Sequence, residues 1–114
     1  MKFKITTISL LIFYLFAGAQ TTGAAKATEF ELKQNFPNPF NASTTIEFSL
    51  PTTTRVQLTL FDLLGNRVRT LLDEERTGGN HSIVVRLEDL PTGFYFYQLE
   101  AGEFREMRRL TLLR

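Results

Sequence analysis

Apolar and polar residues alternate with a period of two in several short runs of this chain. In residues 44–50, Ile46, Phe48 and Leu50 fall on one face. The same spacing groups Val56, Leu58 and Leu60 in residues 55–61, and Ile83, Val85 and Leu87 in residues 81–87. Such alternation predicts strands buried on one face and wet on the other. Residues 94–99, Phe-Tyr-Phe-Tyr-Gln-Leu, are aromatic on both faces, which predicts a central strand with extra cover. Residues 68–75 follow a hairpin signal and read as a further strand, although one helical turn also fits their spacing. The β-branched and aromatic content supports each strand.

Turn residues separate these runs. They are Pro51-Thr52-Thr53-Thr54, Leu64-Gly65-Asn66-Arg67, Thr77-Gly78-Gly79-Asn80, Leu90-Pro91-Thr92-Gly93 and Ala101-Gly102-Glu103. In the second, Gly65 or Asn66 is able to take positive φ. There is no long helical period and no internal repeat. Six or seven strands over residues 30–114 predict an all-β fold, an immunoglobulin-like antiparallel β-sandwich.

The first residues break this pattern. Lys2 and Lys4 precede an apolar run at residues 5–16, and Ala17-Gly18-Ala19 then offers small residues at a cleavage site. This order predicts a secretory signal peptide at residues 1–19, with cleavage after Ala25 or Ala27 as the alternative. A retained anchor is the competing reading, but the strongly apolar part is shorter than the roughly 20 residues a spanning helix needs. Residues 20–29 are small and polar and read as a short linker.

Composition narrows the function. Of 114 residues, 43% are hydrophobic and 22% charged, as in an ordinary globular domain. Without Lys2 and Lys4, 11 Lys and Arg face 12 Asp and Glu. A near-neutral domain has no electrostatic reason to bind nucleic acid or an anionic membrane. The chain has no cysteine, so disulfides, thiolate metal sites and thiol nucleophiles are excluded. The apolar core must hold the fold alone.

The candidate chemistry is sparse. His81 is the single histidine, and beside Asn80 it reads as a surface residue. Asp73-Glu74-Glu75 lacks EF-hand spacing and reads as a solvated turn. Ser43, Ser49 and Ser82 lack a nucleophile elbow, and Gly78-Gly79 leads into a strand and not a helix. Asn41-Ala42-Ser43 and Asn80-His81-Ser82 match the glycosylation acceptor pattern only at its weakest level. No set supplies acid, base and nucleophile together, so no enzyme, no cofactor, no metal and no small-molecule substrate are expected.

The most unusual segment is Asn35-Phe36-Pro37-Asn38-Pro39-Phe40-Asn41. Its prolines force Phe36 and Asn38 into extended backbone. Phe36 and Phe40 are then expected as buried anchors of a rigid first edge strand, which blocks sheet-to-sheet aggregation. A surface recognised by a partner is the functional alternative. At the other end, Arg105, Arg108, Arg109 and Arg114 surround Leu110, Leu112 and Leu113. They read as a last strand with arginines on its wet face, or as a tag for a receptor.

In order along the chain, the segment Phe36-Pro-Asn-Pro-Phe-Asn, then Ser43-Thr-Thr-Ile, then Phe61-Asp-Leu-Leu-Gly-Asn-Arg-Val68, then Gly93-Phe-Tyr-Phe-Tyr and the basic-apolar end resemble the type A C-terminal sorting domain of the type IX secretion system. A more distant likeness is the Ig-like domain of the flagellar hook-capping protein. The first resemblance implies a β-sandwich that is exported, recognised by the outer-membrane type IX translocon and often removed by its sortase-like protease. Signal peptidase would act first, and a monomer is expected. The destination implied is the cell surface or the medium. By position, Pro37, Asn38 and Pro39 match the family's P-x-P, Gly65 and Val68 its G-x-x-V, Gly93 and Tyr95 its G-x-Y, and Arg109 to Arg114 its terminus. Ala42 stands where many relatives have a proline, which would loosen the first turn. Only ten residues lie between Ala19 and Phe30, so the expected passenger is missing. A stand-alone adhesive or structural β-sandwich, or a remnant of a longer secreted protein, is the alternative.

Overall fold

The computed structural model describes residues 29–114. The expected signal peptide, and the expected linker apart from Glu29, lie outside the described residues. Eight strands follow in order: β1 Glu31–Leu32, β2 Phe40–Asn41, β3 Ser43–Leu50, β4 Thr54–Phe61, β5 Arg67–Arg76, β6 Gly79–Arg86, β7 Gly93–Ala101 and β8 Phe104–Leu113. They form a three-stranded sheet, β1-β3-β6, and a five-stranded sheet, β2-β8-β7-β4-β5. The two sheets face each other as the expected immunoglobulin-like sandwich.

The period-two faces predicted from the sequence are the buried ones. Ile46, Phe48 and Leu50 of β3 meet Val56, Leu58 and Leu60 of β4 and Tyr95, Tyr97 and Leu99 of β7 in one core. Leu32, Phe40, Val85, Leu87, Ala101, Leu110 and Leu112 complete it, with Ile83 partly buried at its margin. Strand β7 is the middle strand of the larger sheet, as its two aromatic faces predict. The cover on its outer face is partial: Phe94 is 45% exposed, with the Arg109 guanidinium 5.1 Å above its ring.

Two features differ from the sequence expectation. The strands number eight and not six or seven, because β1 and β2 contain two residues each. Such pieces are too short to alternate. The sandwich is also not wholly antiparallel, since β2 runs parallel to β8. The segment 35–41 is therefore not one edge strand. Phe36 bridges to Thr45 in the smaller sheet, and Phe40 pairs with Leu112 in the larger one. The chain passes between the sheets at Pro37, Asn38 and Pro39, and both X-Pro bonds there are cis.

Phe36 is consequently not a core anchor. Its N–H donates to Thr45 O and its C=O accepts from Thr45 N–H, each at 3.0 Å, so the two residues lie directly opposite. Opposite residues of an antiparallel pair point to the same face. Thr45 points outward, because Thr44 and Ile46 on either side of it are buried. Phe36 must follow it, and it is 80% exposed. Phe40 is the anchor of this segment, at 3%.

Candidate recognition surface

The strand register places most of the motif residues at one end of the sandwich. Ser43 at the start of β3 pairs with Arg86 at the end of β6. Gly93 at the start of β7 pairs with Leu112 near the end of β8. The β4–β5 turn projects from the same end, since Phe61 pairs with Phe96 only three residues into β7.

The crossover is organised by a residue that pattern reading passes over. Asn35 is buried, and its amide Nδ2 donates to Pro37 O at 3.1 Å and to Thr44 Oγ1 at 3.0 Å. The Thr44 hydroxyl donates to the same Pro37 carbonyl at 2.8 Å. The main-chain N–H of Asn35 donates to Tyr97 Oη at 2.7 Å, and that hydroxyl donates onward to Lys33 O at 2.7 Å. Burial pushes the Tyr97 phenol up to about 12. Gln34 Nε2 donates to Asn35 Oδ1 and to Arg109 O, each at 2.7 Å. No local pattern marks it, since an Asx turn needs an N–H two residues on and Pro37 has none.

Asn38 performs a related task on the far side of the crossover. Its Oδ1 accepts the Thr111 N–H at 3.0 Å, just before β2 joins β8. Pro37 and Pro39 themselves are exposed. Ala42, between β2 and β3, has φ +74. Proline cannot take that value, so the expectation that alanine here loosens a proline turn does not fit this backbone. The Ala42 carbonyl instead accepts the Leu87 N–H at 2.8 Å and ties β6 to the turn.

Gly65 takes φ +86 in the β4–β5 reversal, as its motif position predicts. The turn is built around Asp62, whose Oδ1 accepts the N–H groups of Leu64 and Asn66, each at 2.9 Å. The Asn66 main-chain N–H is the main cause that holds the Asp62 carboxyl below its ordinary value. Val68 packs partly against the core, and Leu63 and Leu64 are exposed at the tip.

Tyr95 is buried, and its hydroxyl donates to Pro91 O at 2.7 Å, closing the loop that leads into β7. A side chain at Gly93 would meet no atom within 4 Å, so it is the backbone, at φ +159, and not packing that favours glycine there. Arg109 lies on the outer face over Phe94. Arg114 donates to the carbonyls of Glu88 and Leu90 and pins the end of β8 to the same loop. Arg69 of β5 joins this loop through Asp89, and this hydrogen bond lowers the Asp89 carboxyl. Pro37, Asn38, Pro39, Gly93, Tyr95, Arg109 and Arg114 thus gather along the β2–β8–β7 corner. Gly65 and Val68 share the end but sit at the opposite edge of the larger sheet.

The remaining candidates have structural partners. His81 is not a free surface residue. Its ring stacks on Phe48 with centroids 5.2 Å apart, and Nε2 lies 2.7 Å from Thr77 O. A carbonyl can only accept, so Nε2 carries the proton and Nδ1 faces Arg76 as acceptor. Asp73-Glu74-Glu75 lies within strand β5 and not in a turn, with Asp73 paired to Arg55 at 2.9 Å and Glu74 to Arg76 at 2.7 Å. Ser49 donates to Asn80 Oδ1 at 2.8 Å. Of the terminal arginines, Arg105 pairs with Glu100 at 2.8 Å, while Arg108 turns toward the smaller sheet and donates to Leu32 O at 2.7 Å. Among the described residues, no group of three or more His, Cys, Asp or Glu could hold a metal.

A search of curated proteins returns no match to this chain. Among solved structures, the chain is similar to PorZ, described as an essential bacterial surface component of the type-IX secretion system of human oral-microbiomic Porphyromonas gingivalis. That likeness has 16% identity and a TM-score of 0.46, and covers 80% of this chain but 12% of PorZ. The family profile of the secretion system C-terminal sorting domain matches residues 34–112, from the Asn35 network through Leu112. This match takes in more than half of the chain and every motif of the corner except Arg114, and the chain belongs to the secretion system C-terminal sorting domain family.

Proposed function

We propose that this chain is a non-enzymatic sorting module that directs export across the outer membrane, to the cell surface or the medium, through the type IX translocon. Family membership supports a secretion-sorting role and contact with the secretion machinery. One observation carries the finer reading: motif residues far apart in sequence converge on one corner, and several remain exposed. Pro37, Asn38, Pro39 and Arg109 present side chains to solvent there. In this reading the translocon docks on that corner, signal peptidase removes residues 1–19, and the sortase-like protease acts on the module after transport.

The test fuses residues 20–114 behind a reporter in a host with this secretion system and measures reporter outside the cell. Deleting residues 110–114 would be a poor probe, because Leu110 and Leu112 are fully buried and their loss would unfold the domain. The sharper variant is Asn38→Ala with Arg109→Ala. Export by the parent and a sharp loss in the folded variant are expected. A parent fusion that stays inside the cell would sink the proposal.

A further inference from the structure

A sandwich has sheet edges with unpaired main-chain groups, and folded proteins blunt such edges. Three regions of edge are blunted here. On the smaller sheet, β3 is covered by β1, by the Lys33 N–H bond to Glu47 O and by the Phe36–Thr45 pair. On the larger sheet, β5 carries six charged residues among ten and two register breaks against β4. The opposite edge ends in two-residue β2, beside which Gln34 takes the carbonyl of Arg109 and Asn38 the N–H of Thr111.

Strand β6 has none of these devices. It is eight residues long, keeps an unbroken register with β3, contains no proline or lysine, and has no formal charge before Arg86. Its outward groups follow from β3. Thr45 and Glu47 spend their main-chain bonds on Phe36 and Lys33, so Thr44, Ile46 and Phe48 bond to β6. Their partners Val85, Ile83 and His81 therefore face β3, and Asn80, Ser82, Val84 and Arg86 turn their N–H and C=O groups to the open edge. Only the Arg86 carbonyl finds a described partner, Arg69 at 3.4 Å. The Val84 side chain is 62% exposed beside this edge.

We propose that β6 is an interface strand through which two copies of this chain pair antiparallel, giving a continuous sheet of order β1-β3-β6-β6-β3-β1. The strand is complementary to itself. With Val84 opposite Val84 of the second copy, Ile83 meets Val85 on the inner face and Ser82 meets Arg86 on the outer. No like charges oppose each other, and the outward groups of Ser82, Val84 and Arg86 fall in hydrogen-bonding register, forming about six main-chain bonds. The exposed row Phe36–Thr45–Val84 then continues across the axis into its symmetry mate. A dimer thereby replaces the monomer expected from sequence.

Sedimentation equilibrium over rising concentration, on the purified folded unit of residues 29–114, tests this. The parent is expected to show a monomer–dimer equilibrium, with Val84 and Ser82 amides gaining hydrogen-exchange protection as concentration rises. Val84→Lys and Ser82→Pro each change a solvent-facing position and should leave the thermal midpoint in place. Each should weaken the dimer about tenfold or more. A chain that stays monomeric to about 1 mM would overturn the proposal. So would a dimer insensitive to both variants, which would place the interface elsewhere. Protection of the Val84 amide only on adding host membrane extract would also overturn it, in favour of a foreign strand at this edge.

Discussion

The two ends of the sandwich are closed by different means. At the end opposite the motif corner, the turns rely mainly on backbone conformation and apolar contact, with two local side-chain ties, His81 to Thr77 O and Thr54 to Thr52 O. Gly79 and Gly102 take φ +130 and +60, and the Phe30 and Phe104 rings stack 5.1 Å apart. Gly78 packs so closely that an added Cβ would lie 3.1 Å from the Pro51 carbonyl oxygen. At the motif end, closure comes from particular side chains bonded to main chain: Asn35, Asn38, Asp62, Tyr95 and Arg114. A glycine can be replaced by another way of turning. An amide that donates to two named acceptors is replaced far less easily. The motifs are therefore fold devices first, and a recognition role is laid over them.

The comparison is broken most directly at Tyr95. Tyr95→Ala should cost about 3–5 kcal/mol, combining a core cavity with loss of the bond to Pro91. Urea unfolding measures this, and a midpoint like the parent's would place the ring outside the core. The counterpart at the far end is Gly78→Ala, expected to cost about 1–3 kcal/mol, because backbone and not a flexible side chain must yield. If Gly78→Ala proved the more damaging, the far end would be the more demanding of the two.

Tyr97→Phe removes one oxygen and leaves the buried Asn35 N–H and the Lys33 carbonyl without their partner. The expected cost is about 1–3 kcal/mol. The same hydroxyl gives a pH signature. Its value rises from 10.0 unfolded to about 12 folded, so the neutral phenol is favoured by folding. This contribution is complete below pH 10.0 and is lost as pH climbs toward about 12. An alkaline fall in stability over that window, diminished in Tyr97→Phe, is the expected result of melts across the range.

How much of this was legible in the sequence divides along the same line. Period two marks β3, β4 and β6 and their inward faces, because burial of one sheet face imposes it, while β5 is legible only from the hairpin signal before it and β7 from its aromatic run. It could not find β1 and β2, where two residues carry no period, nor the parallel pairing of β2 with β8. It also misplaced Phe36, because apolar character alone does not say which face a bridge to Thr45 selects. Asp62 and Asn35 went unnoticed for a further reason. Polar residues in turns are ordinary, and only three-dimensional proximity reveals which of them gathers main-chain donors and acceptors. His81 was missed similarly, its partner Phe48 lying 33 residues away.

A smaller effect, of opposite sign, is expected at Ala42. An alanine at φ +74 bears a left-handed strain that glycine lacks. Glycine also makes the unfolded chain more flexible, which offsets part of the gain. Ala42→Gly should therefore stabilise by about 0.5–1 kcal/mol. A thermal midpoint that falls would mean that the Ala42 methyl makes contacts worth more than the strain.

The smallest effect is expected where the sequence alone promised a large one. Phe36→Ala keeps the main-chain bonds to Thr45, since those need no side chain, and removes a ring that is 80% exposed. Its cost should stay within about 0.5 kcal/mol, against several for a buried ring. Equilibrium unfolding of Phe36→Ala beside Phe40→Ala separates the two aromatics of one short segment. Phe40, 3% exposed and paired with Leu112, should cost about 3–5 kcal/mol. Equal losses would mean that both rings are anchors and that the outward face assigned to Phe36 is wrong. A loss confined to Phe40 would mean that the crossover hands the chain from one sheet to the other with a single anchor, leaving the Phe36 ring free for a partner.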